Sequence, residues 1–499
     1  MQIIADRTVL LGEVRSDIAS VTPQASSDLK SIADFTANAS NKYNNARDYY
    51  AIIQNCNYFI AKADLSLKKR GDSIFVKEYA AIKAFRAWTY LQLAINYGTV
   101  PFVTKPILVE KDANPQYYEP YTIQQICEYF IKDLSPYINT PYPNYGAIGS
   151  FSSRNLYIPI RILLGDLCLW SGKYPEAAKY YHDYLNDLNS PHPVGNYKVE
   201  WADVQFQHIN DNYTSQATGT NEVLTYIPMA SSKHEGLMTK LDDIFTSTSD
   251  NNYFYQATRS KAYDQLSSRQ LYTLIYINAD TQLPDTIHPS EDIVYDDESL
   301  RGDLRLSRNY QLTFQGTSST TQNAYRQSMK KIKADRVPLY RITPIYLRYA
   351  EAINRCGYPA CAFAVLKYGL CDDNAHYLDS LEYHQAGEIV RFNKNNFTRN
   401  NTIGIHARGC GRCDADTLYA INGCASKADS IEYVENLIAD ELALETAGEG
   451  SRFYDLIRIS FHKGTATYLA DKIARRNGVF DQKFFEHLSN QANWYLPLE

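Results

Sequence analysis

Residues 79–98, YAAIKAFRAWTYLQLAINYG, are the stretch of sequence that decides the fold. Apolar side chains recur in it every three or four residues, which predicts a helix with one apolar stripe. The stripe consists of Ala80, Ala84, Trp88, Leu91 and Ile95. Gly98 is expected to end the helix, because glycine enters the left-handed C′ conformation without a Cβ penalty, and Pro101 keeps the helix from resuming. The small alanines let a second helix approach closely, so we expect this helix inside a helical scaffold, with Trp88 buried.

Two other segments show the same alternation of small and large residues. Residues 161–184, RILLGDLCLWSGKYPEAAKYYHDY, predict two helices with the spacing of a tetratricopeptide pair. Residues 336–370 predict a second pair of this kind. An apolar stripe over about 47–63 predicts a helix that pairs with the helix of Trp88, and residues 122–135 predict another amphipathic helix. The sequence therefore predicts a mainly α fold, in which tetratricopeptide-like helix pairs form a scaffold for long irregular loops.

Between the helical segments the composition changes. Ser, Thr, Asn, Asp and Tyr dominate, and short runs such as residues 223–227, VLTYI, predict strands in a few short hairpins. We expect this part to lie across the scaffold rather than to form a separate domain. The expected organisation is one domain over residues 1–499, with the scaffold over about 40–190 and 336–370, a loop-rich region over about 190–335, an inserted loop over about 371–425 and a C-terminal segment over about 430–499.

The composition excludes some partners and leaves others open. Lys and Arg number 50 against 56 for Asp and Glu, a net charge of −6, and the chain has no dense basic run. Nucleic acid is therefore not an expected partner. The 42 tyrosines suit both helix packing and the flat faces of sugar rings or peptides, because the ring is apolar and its edge carries a hydroxyl. No run approaches the roughly 18 consecutive apolar residues of a membrane helix.

The stretch around Trp88 also matches a family signature. Its pattern resembles EA-x-x-x-RA-x-x-Y-x-x-L-x-x-x-YG-x-VP, the signature of the SusD/RagB family of surface nutrient-binding lipoproteins. The residues that carry the match are Arg86, Ala87, Tyr90, Leu93, Tyr97, Gly98, Val100 and Pro101. Ala81 and Ile82 depart from it, since the family usually has Glu-Ala there.

Three later segments resemble the same family, in the family's order. They are residues 336–370, 437–458 and 493–499. Single positions depart from the family pattern, namely Pro344, Leu442 and Thr446. Each segment alone is a weak match, but jointly the four make the resemblance specific.

The resemblance implies a SusD-like fold and binding without catalysis. It implies a lipoprotein on the outer face of the outer membrane that captures a glycan, or an oligopeptide, and delivers it to a SusC-like TonB-dependent transporter. No cofactor is implied. The first cysteine is Cys56, inside a predicted helix, and residues 1–17 lack a signal-peptide pattern, so we expect the signal and lipid anchor to be absent from this chain. A tetratricopeptide adaptor that binds peptides is the alternative.

Two polar clusters could carry chemistry. Glu449, Arg452, Asp455 and Arg458 recur every three residues, which is typical of ion pairs at the start of a helix. Residues 410–413, Cys-Gly-Arg-Cys, could be half a zinc site, a redox pair, a disulfide or two free thiols. A complete zinc site needs further ligands, so no metal is predicted. No motif of a hydrolase, a phosphoryl transferase or a redox enzyme is present, so an enzyme is not expected. A hydrolase using residues 406–414 is the alternative.

The ligand site is expected in three loops. The first is residues 38–45, NASNKYNN, where resembling proteins place polar ligand contacts. The second is an aromatic surface around Trp201 and Tyr213, where the tryptophan stands in a polar loop. The third ends the inserted segment, where Gly404 and His406 occupy positions that the family fills with arginine and Arg408 is the nearest substitute. The predicted ligand-binding residues are Asn41, Tyr43, Asn44, Trp201, His406 and Arg408.

Overall fold

The computed structural model describes residues 1–148, 151–194, 222–247, 255–278, 280–287, 302–314, 325–371, 373–374 and 380–498. The described chain is mainly helical, which confirms the predicted fold class. Its α-helices are α1 (Ala5–Val14), α2 (Ser27–Ala33), α3 (Ala46–Lys62), α4 (Val76–Tyr97), α5 (Ile123–Leu134), α6 (Ile160–Trp170), α7 (Tyr174–Leu185), α8 (Leu241–Phe245), α9 (Lys261–Ser268), α10 (Arg305–Asn309), α11 (Ile342–Arg355), α12 (Pro359–Lys367), α13 (Ser380–Ala386), α14 (Ala407–Cys410), α15 (Lys427–Thr446), α16 (Arg452–Lys463), α17 (Thr467–Ala474) and α18 (Gln482–Leu488).

Short strands and 3-10 turns connect these helices. The strands are β1 (Ala19–Val21), β2 (Lys68–Lys69), β3 (Asp72–Ser73), β4 (Val100–Pro101), β5 (Pro120–Tyr121), β6 (Ala147–Ile148), β7 (Phe151–Ser152), β8 (Val223–Pro228), β9 (Ala257–Arg259), β10 (Leu274–Ile277), β11 (Pro284–Ile287), β12 (Tyr310–Phe314), β13 (Tyr325–Met329) and β14 (Arg336–Arg341). The 3-10 turns are Gln2–Ile4, Glu110–Ala113, Pro115–Tyr117, Ser135–Tyr137, Ser153–Leu156, Gly387–Val390 and Gln491–Trp494.

Helix α4 contains residues 79–97 and is buried around most of its circumference. Trp88 is buried as expected, and Gly98 ends the helix with a φ of +76°. The predicted apolar stripe is buried as expected, and polar positions of this helix are buried as well. Arg86 donates one hydrogen bond to Asn57 Oδ1 at 2.9 Å and one to Asp133 Oδ2 at 3.0 Å. Periodicity alone does not show that a polar side chain finds a partner inside the fold.

The predicted helix pairs are confirmed: α3 packs with α4, α6 with α7 and α11 with α12. In the second pair a Cβ at Gly165 would lie 2.6 Å from a ring atom of Tyr181, so glycine is needed for this close approach. Gly172 adopts a φ of +72° in the turn between α6 and α7. Helix α11 also packs on α7 and α15, which joins the pairs into one scaffold.

The strands of the described chain form seven two-stranded antiparallel sheets. Four are hairpins: β2 with β3, β6 with β7, β10 with β11, and β12 with β13. The last two lie in the loop-rich region over about 190–335, where short hairpins were predicted. Strand β8, which contains the run at 223–227, is a correction, because it pairs across the chain with β14 and forms no hairpin. The partner strand was not predictable because it lies far away in sequence. Since β14 leads directly into α11, the pairing attaches the loop-rich region to the scaffold.

One hydrophobic cluster extends from Ile4 to Leu496 and includes residues from every predicted region. Near its C-terminal end, Trp494 is fully buried, and its ring nitrogen donates to the carbonyl of Leu488 at 2.7 Å. The amide of Leu496 donates to the carbonyl of Asn96 in α4 at 2.9 Å. Both ends of the chain therefore pack on the same core.

The described part of the inserted loop is tied to the scaffold. His182 Nε2 lies 2.8 Å from the carbonyl of Arg391, and the ring of Phe392 packs edge-on against that histidine at 4.9 Å. Lys367 at the end of α12 donates to the carbonyls of Asp416 and Tyr419. These contacts fix the segment against α7 and α12.

Within the ranges that the structure describes, none of the helices combines the length and the apolar character needed to span a bilayer.

Candidate functional site

A cleft of about 500 Å³ lies beside Tyr43, and we call it the Tyr43 cleft. Four parts of the chain contribute to it: the N-terminal turn with α1, the loop before α3, the segment from β8 into α8, and the start of β9. Its lining residues are Gln2, Ile3, Asp6, Arg7, Leu10, Lys42, Tyr43, Met229, Leu237, Met238, Lys240, Asp243, Ile244 and Gln256.

The loop that carries Tyr43 is held by two buried asparagines. Asn41 accepts a hydrogen bond from the amide of Tyr43 at 2.9 Å, and its own amide group donates to the carbonyl of Asp28 at 2.8 Å. Asn44 donates to the carbonyl of Asn38 at 3.2 Å and to that of Pro497 at 3.0 Å. These bonds fix the backbone on both sides of Tyr43 and attach it to the C-terminal segment.

The opposite wall is attached to helix α1. Arg7 forms an ion pair with Asp48 and donates to the carbonyl of Asn45 at 3.1 Å, which joins α1 to the start of α3. The Asp6 carboxylate accepts from the Thr239 hydroxyl at 2.6 Å and from the amide of Lys240 at 2.7 Å. Burial raises the pKa of Asp6, and these hydrogen bonds oppose the rise. Both walls of the cleft are therefore built on the same helix.

The cleft combines an aromatic face with charges that stay accessible. The ammonium group of Lys42 lies 4.9 Å from the centroid of the Tyr43 ring, and the Tyr43 side chain is half-buried. Lys240 and Asp243 form an exposed pair at 3.6 Å. Leu237 and Met238 are 46% and 37% exposed. A ring face beside donors and acceptors of both signs can stack on an apolar ring and hydrogen bond to hydroxyl groups at its edge.

A second cavity, of about 620 Å³, lies against α3 and includes Tyr118 in its lining; we call it the Tyr118 cavity. Most of its polar side chains already have partners in the protein, although Arg47 in its lining is exposed. Tyr50 donates to the carbonyl of Pro101 at 2.9 Å, and Tyr118 donates to that of Asp112 at 2.7 Å. Gln54 exchanges two hydrogen bonds with the backbone of Ile107. Fewer polar groups remain for a ligand here than in the Tyr43 cleft.

The structure brings three of the predicted site residues together at the cleft. Tyr43 lines it, while Asn41 and Asn44 are only 4% and 5% exposed and hold its loop. Their amides are engaged by the backbone, which makes them positioning residues rather than ligand contacts in this conformation. Trp201 lies outside the described residues, as does the nearby Tyr213.

The other two predicted residues lie inside the protein. His406 is 3% exposed, bonds Glu441 Oε2 through Nδ1 at 2.8 Å and stacks on the ring of Tyr419 at 4.1 Å. Arg408 is fully buried and forms ion pairs with Glu222 at 3.5 Å and with Glu445 at 3.3 Å. The side chains do not reach the surface, so this placement argues against a direct ligand contact. That these residues contribute to binding stays a prediction.

Arg408 belongs to a buried ionic cluster around Glu445. Arg305 and Arg341 each place a guanidinium nitrogen within 2.8 Å of this carboxylate. Burial opposes ionisation of Glu445, but Arg408, Arg341 and Arg305 outweigh it and hold its pKa well below the ordinary value. A charge cluster of this kind is destabilised strongly when one member is removed, because its partners are left buried and unpaired.

Cys410 and Cys413 are free and buried. The Cys410 thiol donates to Asp303 Oδ2 at 3.3 Å, and the Cys413 thiol donates to the carbonyl of Lys367 at 3.4 Å. Burial raises the pKa of both thiols, and a neighbouring carboxylate adds to each rise. Buried neutral thiols are poor nucleophiles, so the geometry does not favour the hydrolase alternative.

The charges of residues 449–458 have structural partners, although most of these lie far away in sequence. Arg452 forms two hydrogen bonds of 2.7 Å with Asp17, and Arg458 forms two with Glu351. The expected i,i+3 pairing is present once, between Arg458 and Asp455 at 2.8 Å.

Sequence reasoning missed most of the cleft wall. Leu237, Met238 and Lys240 lie in the loop-rich region, where the sequence shows no period that marks a binding surface. The available signal in the sequence was the adjacent pair Leu237 and Met238, because neighbouring apolar side chains in a polar stretch indicate a contact surface. No pattern in the sequence marked Asp6 or Arg7 as part of the cleft.

Comparison with solved structures finds proteins that share this fold. A SusD superfamily protein from Bacteroides vulgatus aligns with a TM-score of 0.58 at 13% identity, over 96% of this chain and 86% of its own. One from Bacteroides thetaiotaomicron aligns with a TM-score of 0.57 at 17% identity, over 99% and 91%. A SusD-like carbohydrate binding protein from Bacteroides fragilis aligns with a TM-score of 0.54 at 15% identity, over 92% and 81%.

No protein-family model and no curated protein matches the sequence. At identities of 13 to 17% the structural likeness shows the fold alone. The chain has the SusD-like fold, as the sequence resemblance predicted.

Proposed function

We propose that this protein is a cell-surface nutrient-binding protein that captures a glycan, an oligosaccharide or polysaccharide, in the Tyr43 cleft. The glycan is passed unchanged to a SusC-like TonB-dependent transporter. A lipid anchor outside this chain holds the protein on the outer face of the outer membrane. The observation that carries the proposal is a half-buried tyrosine face beside accessible charges, on a SusD-like fold.

Two considerations support a glycan over an oligopeptide. One protein with this fold is itself described as a carbohydrate binding protein. The cleft also has the chemistry of sugar recognition, because the Tyr43 ring offers an apolar face while Lys42, Lys240 and Asp243 offer donors and acceptors to hydroxyl groups. Within the described chain the Tyr43 hydroxyl makes no hydrogen bond, so it is available as well.

A rigid scaffold suits a protein that binds its ligand without changing it. The helix pairs hold the Tyr43 loop through buried asparagines, so little conformational entropy is lost when a ligand orders against it. Capture by a preformed surface needs no reactive group.

The test begins with ligand discovery on purified protein. Glycan and peptide arrays identify a ligand, and calorimetry measures its Kd for the wild type, Tyr43→Ala and Tyr43→Phe. Removing the ring costs about 1.4 kcal/mol, which raises Kd about tenfold. Phenylalanine keeps the stacking face and changes Kd by no more than about threefold.

Two control variants separate the possible outcomes. Tyr145 is 61% exposed and outside the cleft, so Tyr145→Ala leaves Kd unchanged. Tyr118→Ala tests the second cavity. An unchanged Kd in Tyr43→Ala together with a raised Kd in Tyr118→Ala assigns the ligand to the Tyr118 cavity and rejects the Tyr43 cleft. Peptide ligands without any glycan ligand reject the proposed ligand class.

Delivery is tested separately. The membrane form of the protein is expected to copurify with a TonB-dependent transporter, and incubation with the glycan is expected to return it with its chain length unchanged. A shortened glycan overturns the claim that the protein acts without catalysis.

A further inference from the structure

Three potential metal ligands meet in the interior, at the end of the inserted segment. They are a carboxylate oxygen of Asp303, a ring nitrogen of His406 and the sulfur of Cys410, and these atoms lie within 4.8 Å of one another. We propose that Asp303, His406 and Cys410 form a structural binding site for a divalent transition-metal ion, with Zn²⁺ as the ion that the ligand set fits. The sequence predicted no metal, because Asp303 lies more than a hundred residues before the two other ligands.

The donor set suits zinc. Zn²⁺ binds thiolate, imidazole and carboxylate together, with bonds of about 2.0 to 2.3 Å that place tetrahedral ligands roughly 3.3 to 3.8 Å apart. The sulfur of Cys410 lies 3.3 Å from Asp303 Oδ2, which is already in that range. Only the thiol proton occupies this contact, and a metal ion would replace it.

One ring nitrogen of His406 is held by a carboxylate. His406 Nδ1 bonds Glu441 Oε2 at 2.8 Å, and this bond leaves Nε2 as the nitrogen for a metal. Ligating histidines in metal sites usually donate their other ring nitrogen to a carboxylate in this way. The ring also stacks on Tyr419, which restricts its rotation.

The backbone brings the segments that carry the ligands close together. A Cβ at Gly409 would lie 2.0 Å from Asp303 Oδ1, so only glycine lets the two segments approach this closely. The amide of Leu304 donates to the carbonyl of Gly409 at 3.0 Å, and the amide of Thr273 donates to that of Cys410 at 3.0 Å. The site is therefore held by three parts of the chain before any ion binds.

The charges around the site can balance the positive charge that an ion brings. In the described chain the buried cluster has one more carboxylate than it has fixed cations. The carboxylates are Asp303, Glu222, Glu441, Glu445 and Glu449, and the cations are Arg305, Arg341, Arg408 and Lys331. Binding converts the neutral Cys410 thiol and Zn²⁺ into a zinc thiolate and one proton released to solvent, which adds one positive charge. This charge compensates the excess carboxylate.

Arg305 places a positive charge next to the proposed metal site. Its Nη2 lies 2.6 Å from Asp303 Oδ2 and 2.6 Å from Glu441 Oε1, and its Nη1 lies 2.8 Å from Glu445. The guanidinium charge is thus shared by three carboxylates. It acts as an outer hydrogen-bond partner of the ligating Asp303, as such partners commonly do.

The test measures metal content on the full chain. Protein expressed in zinc-supplemented medium and purified without chelator is expected to carry about one Zn²⁺ per chain by mass spectrometry of the elements. Cobalt-grown protein is expected to show the near-ultraviolet absorption of a cobalt thiolate bond. Cys410→Ser loses the thiolate absorption and most of the metal.

The matched control is Cys413→Ser, because Cys413 is equally buried but bonds the Lys367 carbonyl outside the site. This variant keeps both the metal and the absorption. Metal below about a tenth of an equivalent in folded wild type overturns the proposal, and so does metal retained in folded Cys410→Ser. If Cys410→Ser does not fold, Cys413→Ser decides: cobalt-grown Cys413→Ser must show the thiolate absorption, and its absence in this folded variant overturns the site.

Discussion

Glu13 should make this protein less stable as the pH rises towards neutrality. Its carboxylate is fully buried on α1 and accepts hydrogen bonds from the amides of Gly448 at 2.8 Å and Gly450 at 3.2 Å. Burial raises its pKa from 4.5 to about 7 against these bonds and the nearby charge of Lys331, while Glu449 adds to the rise. The folded state therefore favours the protonated acid.

The size of the effect follows from the difference between the two pKa values. At about 1.4 kcal/mol per pH unit, the rise from 4.5 to about 7 corresponds to about 3 kcal/mol. A folded pKa above the unfolded one contributes stability that is fully present below pH 4.5 and is lost as the pH rises through about 7. Glu13→Gln does not titrate, so its free energy of unfolding relative to wild type should improve by about 3 kcal/mol between pH 4.5 and pH 8.

Guanidinium unfolding of both proteins at a series of pH values measures this difference. Glu351→Gln is the control, because Arg458 and His462 hold the Glu351 pKa well below its usual range in spite of burial. Its contribution is lost only in acid, so its curve should stay parallel to wild type from pH 5 to pH 8. Parallel curves for Glu13→Gln as well, or a difference of opposite sign, would refute the reasoning.

Two further substitutions test the packing of α16. Gly12→Ala places a Cβ 1.7 Å from the carbonyl oxygen of Gly450, so we expect a loss of about 3 kcal/mol or more in the free energy of unfolding, and a loss below about 1 kcal/mol would contradict this contact. Arg452→Met leaves Asp17 buried without its partner and should cost about 3 to 5 kcal/mol in the free energy of unfolding. The control Arg475→Ala removes an exposed ion pair and should leave the midpoint of the same denaturation experiment unchanged. Equal losses of stability in the two arginine variants would show that the buried ion pair of Arg452 with Asp17 contributes no more to stability than an exposed pair.

The fold could be predicted because its signals are local. Helix ends such as Gly98 and the close pairing of Gly165 with Tyr181 depend on residues that are near in sequence. The pairing of β8 with β14 could not be predicted, because its partners are about a hundred residues apart and each strand alone resembles half of a hairpin.

The site was predictable only in part. The polar loop around Tyr43 was identified, but Asn41 and Asn44 turned out to bond the backbone rather than to face the cleft. His406 and Arg408 were predicted to bind the ligand, yet they are buried against Glu222, which precedes β8, and against carboxylates of α15. Polar composition indicates a loop without indicating which side chains have buried partners.

The sequence by itself determined the scaffold: which segments are helices, where glycine ends them and that they pack in tetratricopeptide-like pairs. Periodicity and turn chemistry act over a few residues, so they can be read from the chain. Only the tertiary structure decided where the charges lie, placing Tyr43 on an accessible cleft and Arg408 in a buried cluster. The physical reason is that the cost of burying a charge is met by partners far away in sequence, and only the fold brings those partners together.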